Sequence, residues 1–177
     1  SGDVWVRMNT AGEAVAQSAL YVDDEAGMTI NHIRSECRRF QRKPTGLHVV
    51  IVDYVQLLRS TRHADTRERE VAEFTQELKT LARELGVTVI CLSQLNRATE
   101  SRSEKRPELS DLRESGAIEQ DADAVLMLYR DGYYKVEANP RVAEVLVKKH
   151  RHGAIGKIEM AFHAEYTLFG DNYGDSE

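Results

Sequence analysis

The stretch HVVIVDYVQLLRS, from His48 to Ser60, decides how the rest of the chain is read. Its four consecutive aliphatic residues, Val49 to Val52, do not alternate with polar ones. A strand of that kind is buried on both faces, as in a parallel sheet covered by helices. The run ends on a carboxylate, Asp53. That position lies at the edge where open α/β sheets place their ligands. Two readings of Asp53 stand at this point: a cap for the turn after the strand, or a ligand-binding carboxylate.

Working outward, Met28, Ile30, Ile33, Cys37 and Phe40 recur at helical spacing, and Lys43-Pro44-Thr45-Gly46 stops that helix. Residues 59–67 are polar and read as a loop. From Glu68 to Leu85 the apolar positions Val71, Phe74, Leu78, Leu81 and Leu85 step by three or four, and Gly86 supplies the stop. VTVICLSQ (87–94) reads as a second buried strand, and AVLMLYR (124–130) as another beyond the polar stretch 95–123. VAEVLVKK (142–149) and IGKIEMAF (155–162) are two more, joined by a tight turn around Gly153. Near the start, Thr10 and Glu13 have capping-box spacing, which predicts a short helix through Ala19, and ALYVDD (19–24) reads as a strand. Strands alternating with helices imply right-handed crossovers and a parallel sheet. The predicted fold is a three-layer α/β/α domain, mostly parallel, finished by an antiparallel hairpin.

With 177 residues the chain has the length of one domain with a real core. Its 41% hydrophobic and 30% charged residues fit a soluble globular protein. No apolar run approaches the roughly 18–20 residues that span a bilayer, and no signal peptide opens the chain. Cys37 and Cys91 lack a Cys or His at ligand spacing and read as buried free thiols, which suits a reducing cytoplasm. The net charge of −5 opposes wholesale coating of nucleic acid but permits a local basic surface. Arg34, Arg38, Arg39, Arg42 and Lys43 crowd one helical stretch and read as a solvated helix end. Lys148, Lys149, Arg151 and Lys157 share a span without any acid.

Three strand ends present polar residues on one edge: Asp53, then Ser93-Gln94, then Arg130-Asp131. An Asp after four aliphatics has the form of a Walker B strand, whose carboxylate holds Mg²⁺, usually through water, against nucleotide phosphates. Gln94 could read a γ-phosphate or position a water; its other reading is a strand-end amide satisfying local backbone. No phosphate cradle accompanies them. At Gly156-Lys157 the preceding Gly153 is too close, and Ile158 stands where Ser or Thr is required.

LSDLRESGAIEQDAD (109–123), together with LSQLNR (92–97), VDYVQLL (52–58) and KKHRHGAIG (148–156), resembles the replicative DNA helicase family typified by DnaB. LYVDDEAG (20–27) resembles that family's segment ahead of the Walker B strand. The resemblance runs from about residue 19 to the end. It implies a RecA-like motor domain that forms hexameric rings, hydrolyses ATP with Mg²⁺ between subunits and moves 5′ to 3′ on single-stranded DNA. Asp53 then matches the Walker B magnesium ligand, Gln94 the γ-phosphate sensor, and Lys149 with Arg151 the finger reaching a neighbour's nucleotide. Arg113, Glu114 and Gly116 match the loop that grips the DNA backbone. Primase and a helicase loader are implied as partners, and the cytoplasm of a bacterium, or of one infected by a phage, as location. The family's N-terminal domain, its P-loop and the catalytic Glu after that loop have no counterpart in residues 1–177. The expectation is therefore the C-terminal part of one motor domain, inactive alone.

The residues also admit three other readings. A recombination or clock ATPase would share the fold but not DLRESGAIEQDAD. A metal-dependent nuclease would use Asp23, Asp24 and Asp53. A scaffold would keep the fold without catalysis.

Overall fold

The computed structural model describes residues 2–60 and 66–171. Residues 61–65 of the predicted loop at 59–67 lie outside them. Helix α1 (Gly2–Gln17) starts well ahead of the predicted capping box. Thr10 sits inside it and donates its hydroxyl to the Val6 carbonyl at 3.0 Å, so it bonds back along the helix instead of capping one. The predicted strand at 19–24 is absent. No partner strand lies beside that segment among the described residues, and a lone strand has nowhere to spend its backbone hydrogen bonds.

Helix α2 (Ile30–Gln41) is capped by Thr29, whose hydroxyl accepts the His32 N–H at 3.3 Å. Strand β1 (Val49–Val52) follows, then a 3-10 turn at Val55–Leu57. Helix α3 (Arg67–Leu85) begins at the Thr66 cap and stops at Gly86, whose φ of 65° is a left-handed conformation that glycine adopts without a Cβ clash. Strand β2 (Thr88–Cys91) returns parallel to β1, with Val49 opposite Thr88 and Val52 opposite Cys91. Ile33 and Cys37 from α2 meet Val71, Phe74, Leu78 and Leu81 from α3 over Val52 and Val55. Each such side chain, fully buried, contributes about 1.5–3 kcal/mol.

Only one face of this pair is covered. Val49, Ile51, Ile90 and Leu92 are exposed, Ile51 by 62%. The sequence predicts burial on both faces, and the second covering layer is not supplied by the described residues.

The rest of the sheet structure is antiparallel. Strands β3 (Ala124–Tyr129), β4 (Val142–His150), β5 (Gly156–His163) and β6 (Leu168–Asp171) pair in chain order. The antiparallel part is thus four strands rather than a hairpin. Its last member, Leu-Phe-Gly-Asp, is too short and too mixed to announce itself by period. In β3, Val125, Met127 and Tyr129 face inward and Leu126 and Leu128 outward.

A kinked 3-10 segment (Leu109–Ser115) runs into helix α4 (Gly116–Asp121). Ile118 of α4 packs against both cores, the one under α2 and α3 and the one of Leu112, Val125, Met127, Tyr129 and Leu146. Helix α4 therefore joins the parallel and antiparallel halves. No helix among the described residues is long and apolar enough to cross a membrane.

The basic helix end predicted at 34–43 is largely neutralised. Arg34 pairs with Glu77 at 3.3 Å, Arg38 with Glu84 at 2.6 Å and Arg39 with Glu36. Lys43 lies over the rings of Tyr21 and Phe40.

Candidate functional site

The carboxyl ends of β1 and β2 lie side by side, as the parallel register demands. The ladder continues one step past both strands: the Leu92 N–H donates to the Val52 carbonyl at 2.9 Å, and the Val55 N–H to the Leu92 carbonyl at 3.0 Å. The second bond commits the Val55 N–H, the donor two residues on that a capping Asp53 would accept. The Asp53 carboxylate is exposed, with no hydrogen bond or ion pair among the described residues, and its peptide bond to Tyr54 is cis. Among the described residues this strand-end carboxylate makes no capping bond, which leaves it available to a cation or a ligand. The Gln94 side-chain amide is likewise exposed and uncommitted among the described residues, while its backbone is bound.

What binds that backbone is Gln56, a residue of the VDYVQLL stretch to which the sequence reading assigns no role. Its Nε2 donates to Ser93 Oγ at 3.0 Å and its Oε1 accepts the Gln94 N–H at 3.3 Å. Arg67 at the start of α3 fixes Gln56 in turn by donating to its carbonyl at 2.6 Å. Beyond Gln94 opens a cleft of about 310 Å³, lined by Gln56, Asn96, Arg97, Asp111 and Leu112. It leads from the strand ends to the segment that carries residues 113–116.

The backbone of that segment is a 3-10 turn followed by α4; the side chains of Arg113, Glu114 and Gly116 lie outside the described residues. Its approach is fixed at two points. Asp111, buried, accepts from Arg102 Nη2 at 2.8 Å and from the Glu108 N–H at 2.7 Å. Arg106 donates to both oxygens of Glu144, at 3.1 and 2.9 Å, with its guanidinium over the Tyr129 ring. The guanidinium holds the Glu144 carboxyl below the usual carboxylate range. Burial and the Asp131 carboxylate, which accepts from the Tyr129 hydroxyl at 2.6 Å, push that phenol up to about 12. A lone Glu in the apolar strand VAEVLV is the sequence signal for this pair.

Lys149 and Arg151 are placed by a β-bulge. Val125 lies opposite Lys149 and Leu126 opposite Val147, so Lys148 is an extra residue in β4. Opposed residues share a face, and the insertion flips which lysine joins Glu144 and Leu146 on the inner side. The Lys149 ammonium consequently reaches the Glu119 and Gln120 carbonyls at the end of α4. Arg151 pairs with Asp123 at 3.3 Å. Within one chain, both cations predicted to reach a neighbour's nucleotide have partners of their own.

The carboxylates of the nuclease reading do not converge. Asp23 and Glu25 share His32, which donates to Asp23 at 2.8 Å; neither Asp24 nor Asp53 belongs to this group. Cys37 is buried, and burial pushes the Cys91 thiol up to about 11, so neither is a thiolate at neutral pH.

The two halves, with Asp53 and Gln94 at the ends of adjacent parallel strands, define a RecA-like α/β domain. Solved structures agree. One described as an ATPase domain superimposes with a TM-score of 0.90 at 42% identity, over 94% of this chain and 60% of that one. A DnaB-like replicative helicase studied for its interactions with primase gives 0.89 at 42% identity, over 94% and 41%. Residues 1–171 match the DnaB-like helicase C terminal domain, and the chain belongs to that family. The replicative DNA helicase DnaC of Bacillus subtilis (strain 168) is 46% identical over 167 residues, and DnaB of Geobacillus stearothermophilus 43% over 167. Each alignment takes 93% of this chain and 37% of the relative, so the chain spans little more than a third of these relatives' length.

Proposed function

We propose that this chain is the C-terminal part of the ATP-driven motor of a replicative DNA helicase. The observation that carries it is the pair of side chains, Asp53 and Gln94, uncommitted among the described residues, at the carboxyl ends of adjacent parallel strands in a chain of this family. A hard cation such as Mg²⁺ takes oxygen ligands and retains several waters, which suits a single exposed carboxylate without a partner among the described residues. Asp53 would hold it through water; once bound, the cation would neutralise charge on the phosphates of ATP. Gln94, its backbone fixed by Gln56, would present an amide to the terminal phosphate or to the attacking water.

Arg113, Glu114 and Gly116 would grip single-stranded DNA through its phosphates. A glycine allows the backbone to approach closely, and such contacts carry no base information, as a motor crossing any sequence requires. Arg151 and Lys149 would serve the nucleotide of an adjacent subunit in a hexameric ring, moving 5′ to 3′, which means exchanging their present partners for phosphate. The phosphate cradle would come from sequence preceding residue 1, together with a layer for the bare face at Ile51 and Ile90. Primase is the partner that the likeness to the DnaB-like helicase suggests, with a loader alongside.

In the complete protein, Asp53→Ala should abolish Mg²⁺-dependent ATP hydrolysis and leave ring assembly intact. Wild-type turnover by that variant would end the Walker B assignment.

A further inference from the structure

We propose that Asp123 is a positioning residue for Arg151, aiming the guanidinium that the proposed function assigns to the neighbouring nucleotide. The inference rests on that reading. Asp123 stands immediately before β3 and Arg151 immediately after β4, and the ladder between them closes on the Ala124–His150 pair. Asp123 meets Arg151 twice: its carbonyl accepts the Arg151 N–H at 2.8 Å, and its Oδ1 lies 3.3 Å from Arg151 Nη1. The other carboxylate oxygen, Oδ2, is taken by the Lys79 ammonium of α3. One residue thus fixes both the base and the head of the arginine, and is itself tied to the helix layer.

Stability is a poor explanation for this arrangement. The Asp123 side chain is 57% exposed and that of Arg151 40%, and ion pairs so exposed contribute little to folding. Orientation is a better one. Arginine is a long side chain with several rotatable bonds, and a guanidinium already held near its working direction loses less freedom when it forms a forked contact with phosphate. Because the pair is exposed, an incoming phosphate can take the guanidinium from the carboxylate. Asp123 would then keep its hold through the backbone bond and through Lys79.

The test uses the full-length ring, measuring steady-state ATP hydrolysis with DNA present. Asp123→Asn keeps size and the backbone bond but removes the charge. It should lower kcat by about tenfold to a hundredfold, the scale of a misplaced catalytic group, with KM and the unfolding midpoint little changed. Asp123→Glu should recover part of the rate, and Lys79→Ala should lower kcat more mildly. Combined with Arg151→Ala, Asp123→Asn should add no further loss, since residues acting through one group are not additive. Wild-type kcat in Asp123→Asn beside an inactive Arg151→Ala would overturn the positioning role alone. A multiplicative loss in the double variant would do the same. Full activity in Arg151→Ala would instead remove the finger reading on which the inference stands.

Discussion

The Gln56 side chain spans the carboxyl ends of β1 and β2, giving its Nε2 proton to Ser93 Oγ at 3.0 Å and taking the Gln94 N–H on Oε1 at 3.3 Å. A single amide therefore ties the turn after Asp53 to the residue whose side chain faces the proposed phosphate. Gln56→Leu should break both bonds while keeping the side chain's bulk. Net hydrogen bonds contribute about 1 kcal/mol each, so stability should fall by roughly 1–2 kcal/mol. Hydrolysis in the complete protein should fall more steeply, with KM for ATP nearly constant. Denaturant unfolding and initial-rate kinetics measure the two effects separately; equal activity in the variant would make Gln56 a purely structural link.

The Arg106–Glu144 pair fixes the approach to residues 113–116 on β4. Glu144 is 9% exposed, and its carboxyl titrates below its ordinary range because Arg106 favours the charged form. Arg106→Ala should destabilise the domain by roughly 1–3 kcal/mol, less than a fully buried pair because the guanidinium itself remains partly in water. A lowered carboxylate pKa adds stability above the unfolded value and loses it as pH falls through the folded one. Acid unfolding below about pH 4 should accordingly be less steep in Glu144→Gln. Urea midpoints collected between about pH 3 and 7, the range spanning carboxylate titration, would reveal it.

His32 and Asp23 form a third, exposed pair at the first turn of α2. The Asp23 carboxylate raises the His32 pKa above 6.5, and His32 lowers that of Asp23. The protonated imidazole is bound more tightly in the folded chain, so the contact contributes fully below the unfolded value. It is lost as pH rises through the raised folded value. NMR titration should place His32 above 6.5, and Asp23→Asn should return it toward that value. An unshifted His32 in the wild type would show that the pair does not form in solution.

Arg113 should matter to DNA through charge alone. Arg113→Ala in the complete protein should weaken single-stranded DNA binding equally across sequences and make the salt dependence shallower by about one phosphate contact. Fluorescence anisotropy with oligonucleotides of different composition at several salt concentrations measures both. A loss confined to one sequence would point to base readout.

Much of this architecture is legible in the residues themselves. The helical steps from Val71 to Leu85 and the stop at Gly86 survive intact, because an amphipathic period and a left-handed glycine are local properties. The strand from Val49 to Val52 is equally clear, but its two-sided burial is not, since burial depends on what lies above the sheet. The strand at 19–24 fails for want of a partner, and the capping box at Thr10 because helical sequence already runs through it. At the site, Asp53, Gln94, Lys149 and Arg151 stand out by residue type and motif. Gln56 and Asp123 fall inside family-like stretches, but their roles are not legible there, as they arise from neighbours 38 and 28 residues away in sequence. The bulge that turns Lys149 inward leaves no trace in the pattern VAEVLVKK.

The proposed nucleotide site is shared between subunits, with Asp53 on one side and Arg151 on the other. Its most direct test mixes full-length Asp53→Ala and Arg151→Ala subunits, each inactive alone, in rings whose exchange is established independently by mass. Interfaces that combine the intact Asp53 of one subunit with the intact Arg151 of the next should restore a fraction of wild-type ATP hydrolysis. The expected loss in pure Arg151→Ala rings is about 10³-fold, so even a few per cent of recovery is readily measured. No recovery in demonstrably mixed rings would place Arg151 within its own subunit and contradict the shared site.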